Sequence, residues 1–180
     1  RHGRDGLHDL QALHQLAEAV TAEEIENGTV KKILSDMRKA LRAYNTEGFV
    51  GIAIAAPQIG VSKRIFLIED QSKDRDSLPS LVAINPEIVK LSRKTELVGE
   101  GCLSVRDEYG AVVRSEKATL RAQDENGVEY ERGGSGLLAQ IFQHECDHLD
   151  GTLFVDRAEK LWHKDELDKV KLDEAKKHDL

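Results

Sequence analysis

Apolar side chains recur along this chain in two rhythms, one helical and one alternating, and each predicts a different kind of element. Leu7, Leu10, Leu13, Leu16 and Val20 fall at helical spacing, and Thr21-Ala22-Glu23-Glu24 then has the form of a capping box that opens a second start. Val30, Ile33, Leu34, Met37, Leu41 and Tyr44 follow the i, i+3, i+4, i+7 pattern with Lys and Arg between them. This predicts a helix from Val30 to Tyr44, ended by Asn45 and Gly48. In the middle of the chain the runs shorten. Val50 to Ala56, Arg64 to Glu69, Leu81 to Asn85 and Glu87 to Ser92 are aliphatic stretches bounded by Gly, Pro or Asn, and they read as strands. Ala111 to Arg114, Lys117 to Gln123 and Val128 to Arg132 continue the series. Between the last two, Glu125-Asn126-Gly127 predicts a type I′ hairpin turn, because Asn and Gly tolerate positive φ. Gly133, Gly134 and Gly136 break the chain before an apolar helix from Leu137 to Leu149, which Asp150-Gly151 stops.

Residues 158–180 form a charged, helix-prone tail that carries Leu161, Trp162, Leu167, Val170 and Leu172. A helix, then a block of antiparallel strands, then helices is the order of an α+β domain. The expected arrangement is antiparallel strands around a central Leu137–Leu149 helix, with an N-terminal helix and a C-terminal helical tail. No repeat, low-complexity stretch or linker interrupts it, so residues 1–180 read as one domain. Polar Asp70 to Ser80 is the expected flexible loop.

Composition narrows the function. The chain is 39% hydrophobic and 33% charged with a net charge of -7, and no Lys/Arg patch stands apart from acidic neighbours, which excludes a nucleic-acid footprint. No apolar run approaches the roughly 18–20 residues of a membrane span. Arg1 to Asp9 has no apolar core of the signal-peptide kind. The two cysteines, Cys102 and Cys146, are too few for a disulfide scaffold, so metal or thiol chemistry in a reducing compartment is expected. A bacterial cytoplasm fits better than an organelle matrix.

The predicted Leu137–Leu149 helix carries the chemistry. His144-Glu145-Cys146-Asp147-His148 is an HExxH motif, which puts two imidazoles four residues apart on one helix face with a carboxylate beside them. Two solvated histidines on a surface helix would be the ordinary reading. Leu137, Leu138, Ile141, Phe142 and Leu149 instead predict burial, and buried imidazoles beside a buried carboxylate require a partner such as a metal. The third ligand is left open. Phe154, six residues after His148, cannot bind metal; Glu166 is available but sits in the charged tail; Cys102, beside Gly101, is the stronger candidate because thiolates hold soft and borderline metals. Cys146 points away from both histidines and reads as a core thiol. The role of Asp147 is undecided by sequence.

Three segments in order resemble the signature motifs of the peptide deformylases: Gly51-Ile52-Ala53-Ile54-Ala55-Ala56-Pro57-Gln58, Glu100-Gly101-Cys102-Leu103-Ser104 and Gln143-His144-Glu145-Cys146-Asp147-His148. Ile84-Asn85-Pro86 and Leu149-Asp150-Gly151-Thr152-Leu153-Phe154 agree as flanks, and the resemblance covers Val30 to Arg157. It implies a hydrolase that removes the N-formyl group from the formyl-methionine of nascent polypeptides and releases formate. It implies one divalent metal held by Cys102, His144 and His148 with water as fourth ligand, natively Fe2+, with Zn2+, Ni2+ or Co2+ as substitutes. Glu145 matches the general acid/base, and the Gln58 amide with the Leu103 backbone N–H matches the oxyanion donors. Gly51, Ile52, Ala53, Glu100, Gly101, Leu137 and Ile141 match substrate-binding positions, with Ile52, Leu137 and Ile141 at the methionine pocket. The tail is a possible ribosome contact. Ala53, Arg106 and Tyr109 depart from the family pattern without touching the metal ligands, Glu145 or Gln58. A zinc endopeptidase using Glu166 and a degenerate peptide-binding member are the alternative readings.

Overall fold

The structure is a computed structural model that describes residues 15–43, 52–69, 78–102 and 105–163, with the backbone alone at 102, 105–108 and 163. Helix α1 (Ala22–Glu26) opens with the expected capping box: the Thr21 hydroxyl accepts from Glu24 N–H while the Glu24 carboxylate accepts from Thr21 N–H. Helix α2 (Thr29–Ala43) follows and buries Val30, Ile33, Leu34, Met37 and Leu41, the stripe its spacing predicts. Tyr44, Asn45 and Gly48 lie outside the described residues. Most of the predicted N-terminal helical run, Leu7 to Leu13, lies outside the described residues, and residues 15–20 are not helical. Ala17 N–H donates to Leu149 O at 2.9 Å and Glu18 N–H to Ser62 O at 3.0 Å, so this backbone is spent on distant partners and is extended.

Among the described residues, eight strands follow in two antiparallel sheets. Strands β1 (Ala53–Ala55), β2 (Ile65–Ile68), β3 (Leu81–Leu91), β6 (Lys117–Gln123) and β7 (Glu129–Ser135) make a five-stranded sheet in the order β1-β2-β3-β6-β7. Strands β4 (Thr95–Cys102), β5 (Val105–Ser115) and β8 (Lys160–His163) make the second sheet. Two expected strands, Leu81 to Asn85 and Glu87 to Ser92, are one: Asn85 adopts φ 51°, and the bulge it makes carries the chain past Pro86 without ending β3. The Asn85 amide also accepts from Val20 N–H and donates to Val20 O, which pins the extended N-terminal segment to the sheet. The expected type I′ turn is corrected as well. Only Gly127 of the turn has positive φ, at 82°, with Gly127 N–H donating to Asp124 O, and the Asp124 carboxylate takes over Asn126 N–H and Val128 N–H. Gly133 and Gly134 fall inside β7, and the break comes at Gly136.

Helix α3 (Leu137–Leu149) has the bounds its apolar pattern predicts and buries eleven residues. One core joins Leu138, Ile141, Phe142, Cys146 and Leu149 of α3 to Ala53, Ala55, Phe66 and Ile68. A second core joins Ile54, Ile65 and Leu67, on the opposite face of the same strands, to α2. The strands β1 and β2 are therefore buried on both faces, which is why they read as continuous aliphatic runs rather than as alternation. On its other side α3 is fastened to the second sheet: Gln140 Nε2 donates to Gly99 O at 3.1 Å, and the Gln143 amide both accepts from Ser115 N–H and donates to Ser115 O. That second sheet is an excursion from the first. The chain leaves after Leu91, runs out as β4 and back as β5, and rejoins at β6, closed by Ser92 N–H to Lys117 O and Glu116 N–H to Lys94 O.

The expectation of a helical tail is corrected where it can be seen. After a short helix α4 (Phe154–Arg157), residues Lys160–His163 form β8, and β5 supplies the open edge they pair with: Gly110 faces Leu161 and Tyr109 faces Trp162. The remainder of the tail, 164–180, lies outside the described residues. A Cβ added at Gly110 would sit 2.9 Å from Ala158 Cβ and 3.2 Å from Lys160 O, atoms with little room to yield. Gly110→Ala should therefore cost about 1–3 kcal/mol by overpacking. Its urea midpoint should drop, and an unchanged midpoint would show that β8 is not held as described.

Candidate metal centre

Helix α3 presents its two histidines together. The His144 and His148 ring centroids are 5.0 Å apart with planes at 66°, and both side chains are buried. His144 Nδ1 lies 2.7 Å from Glu100 Oε1. Glu100 is driven up in pKa by burial, but the Arg114 hydrogen bonds and His144 outweigh this and hold it down at about 2. An ionised carboxylate only accepts, so Nδ1 carries the proton and Nε2 is the lone-pair atom of His144. Burial first, and the neighbouring His144 second, hold the His148 pKa well below its ordinary value, so this ring is neutral and able to ligate.

Glu145 is fully buried, and neither of its carboxylate oxygens has a hydrogen-bond partner among the described residues. Its Oε1 lies 4.0 Å from His144 Nε2. Burial, reinforced by the charge of Glu100 and opposed by His144 and Arg114, pushes its pKa up to about 7. A buried carboxylate in this state is costly unless a positive charge or a reacting proton meets it. Two imidazoles with lone pairs to give beside such a carboxylate fit a divalent metal. Of Cys102 the structure describes only the backbone, the last residue of β4, where it follows Glu100 and Gly101.

The remaining expected residues fall into place unevenly. Gln58 is fully buried in the 3-10 turn Ala56–Ile59 that ends β1, and its Oε1 accepts from Ala55 N–H at 2.8 Å. That bond fixes the amide so that Nε2 is its donor end. Ile141 is in the core facing β1, with Ile52 and Leu137 packed at its margin. Ala53, one of the departures, turns its methyl into this same core. Tyr109 is buried on β5 opposite Gly101. Gly51 and Leu103 lie outside the described residues. Glu100, expected at the substrate, is 1% exposed, with its oxygens engaged by Arg114 and His144.

Arg114 was not anticipated. Alternation along β5 would have pointed to it: Val112 is buried, Val113 exposed and Arg114 again buried, and an inward arginine demands a carboxylate. Asp147, undecided by sequence, accepts from Arg114 Nη1 at 2.7 Å and from Arg157 Nε at 2.6 Å.

Comparison with known proteins completes the picture. The family profile described as Polypeptide deformylase matches residues 7–164. A peptide deformylase of Acidobacterium capsulatum is 42% identical over 149 residues, covering 83% of this chain and 82% of the relative. Peptide deformylase 1A, chloroplastic, of Solanum lycopersicum is 37% identical over 158 residues, covering 81% of this chain and 55% of its own. Among solved structures, a class I type b peptide deformylase from Acinetobacter baumannii superposes with a TM-score of 0.76 at 34% identity, covering 84% of this chain and 97% of that one. The Synechococcus elongatus peptide deformylase in complex with actinonin gives 0.74 at 36% identity, covering 86% and 78%.

Proposed function

This chain belongs to the polypeptide deformylase family, enzymes that remove the N-formyl group from nascent polypeptides, and from that premise we propose how its residues carry out the reaction. Cys102, His144 and His148 hold one divalent metal, natively Fe2+, with Zn2+, Ni2+ and Co2+ able to replace it in a thiolate and imidazole set. When bound, the metal supplies Lewis acidity, polarising the formyl oxygen and lowering the pKa of coordinated water towards neutrality. Glu145 carries the proton. It takes one as water adds to the formyl carbon, and returns it to the amine nitrogen as the C–N bond breaks, leaving formate and a free N-terminal methionine. The Gln58 Nε2 and the Leu103 backbone N–H donate to the oxyanion between those two events, each worth on the order of 3 kcal/mol.

The observation that carries this reading is the Glu145 carboxylate, buried beside the His144 ring with no hydrogen-bond partner among the described residues. A purely structural carboxylate at that depth would be paired. Among the described residues strand β1 is the edge of its sheet, which suits it to receive an extended peptide, with Gly51, Ala53 and Gly101 beside the peptide backbone and Ile52, Leu137 and Ile141 around the methionine side chain. Glu100 we move from the substrate to the support of His144. The span of the profile, 7–164, supports one catalytic domain. We place the chain in a bacterial cytoplasm, in keeping with its bacterial relatives, while the relative from Solanum lycopersicum is chloroplastic. The expected ribosome contact falls mainly on 164–180, outside the described residues. Glu166, the third ligand of the endopeptidase alternative, lies there too, and the relatives do not favour that reading. Anaerobically prepared protein loaded with Fe2+, Ni2+ or Co2+ should release formate from formyl-Met peptides. Metal-loaded protein that releases none would sink the assignment.

A further inference from the structure

The charges behind α3 extend further than a ligand and its hydrogen-bond partner require. Arg114 on β5, 4% exposed, donates from Nε to Glu100 Oε2 at 2.7 Å and from Nη2 to Glu100 Oε1 at 2.8 Å. Its third branch, Nη1, donates to Asp147 Oδ2 at 2.7 Å. A single carboxylate would already balance the charge of the guanidinium. The second one comes from α3 itself, three residues after His144. The contacts close a ring: His144 to Glu100 on β4, Glu100 to Arg114 on β5, Arg114 to Asp147 on α3, and back along the helix to His144. Within it, Glu100 Oε1 accepts from His144 Nδ1 and Arg114 Nη2 at once, so the carboxylate cannot turn without losing both. A rotated Glu100 would release the ring orientation and tautomer of His144 together.

Resting on the metal reading above, we infer that Arg114 is a positioning residue of the metal centre, with Asp147 as its second anchor. The residue before the second motif histidine is then part of the support of the first rather than a spacer. Only a planar fork spans both carboxylates in this way; lysine supplies the charge without the geometry. Arg157, half exposed, adds a second cation to Asp147 and should matter little, as surface pairs do.

The test is Co2+ binding by apo protein, read by visible absorption and chelator competition, which does not depend on turnover. Wild-type protein that binds Co2+ but releases no formate would remove the deformylase reading and leave this one standing. Arg114→Lys should bind Co2+ about 10–100-fold more weakly, the usual effect of losing a ligand's supporting partner, with a shifted spectrum. Asp147→Asn should lose affinity in the same direction but less, and Arg157→Gln should match wild type. A merely structural Arg114 would instead lower the apo Tm in Arg114→Lys and leave Co2+ affinity and spectrum unchanged, which overturns the proposal. If Arg114→Lys does not fold, Asp147→Asn carries the test, since it removes one anchor of Arg114 and leaves the Glu100–His144 contact in place. In that variant a Co2+ affinity weaker than that of Arg157→Gln supports the inference, and an affinity equal to it refutes it.

Discussion

Glu145→Ala should cut formate release by about a hundred- to ten-thousand-fold while leaving the metal in place. The size is that of a general acid/base removed from its reaction. On the proposed mechanism the metal is retained, because His144 and His148 supply the lone pairs on α3 and Glu145 only carries the proton. The protein should not become less stable. Neither Glu145 oxygen has a hydrogen-bond partner among the described residues, so folding buries this carboxylate at a cost that alanine does not incur. Apo Glu145→Ala should therefore unfold at a Tm no lower than that of wild type, an enzyme that gives up stability for function. Turnover retained in Glu145→Ala would assign the proton to another group. A Tm lowered by several degrees would mean that Glu145 has a structural partner after all.

Cys102→Ser should have the other large effect. A serine oxygen stays protonated at neutral pH and binds soft or borderline metals poorly, so metal affinity should fall by more than the ~10–100-fold that loss of a ligand's hydrogen-bond partner costs. Activity at limiting metal should fall in parallel. Atomic absorption after gel filtration makes the measurement directly. A variant that kept its metal through the column would point to a different third ligand.

Much of this molecule is legible in its sequence, and the parts that are not share a cause. Helix α3 was readable to the residue because Leu137, Leu138, Ile141, Phe142 and Leu149 keep helical spacing and Gly136 and Asp150-Gly151 bracket it. The capping box at Thr21 was readable because it is made of neighbours. Strand β4 was not foreseen as an element, since Thr95-Glu96-Leu97-Val98-Gly99-Glu100-Gly101 carries two glycines and two charges and has little strand propensity of its own. Its pairing with β5, Leu97 opposite Val113 and Val98 opposite Val112, makes it a strand. Strand β8 was read as helix for the same reason: an open edge on β5 decided it, and an edge is not a local signal. In the candidate metal centre, His144, Glu145 and His148 could be read from one motif, whereas Arg114 and its bonds to Glu100 depend on contacts between β4, β5 and α3.

The excursion that makes the second sheet also sets an order of events. Strands β1, β2 and β3 are neighbours in sequence and can meet early, since closing a short chain segment costs little entropy. The site itself waits for a longer closure: Glu100, at the end of β4, meets His144 across 44 residues of chain. Metal uptake should then report on the last stage of refolding rather than the first. In stopped-flow refolding with Co2+ present, visible absorption should lag behind the far-ultraviolet circular dichroism signal. If the two rise together, the hairpin and the helix find each other before the first sheet is complete.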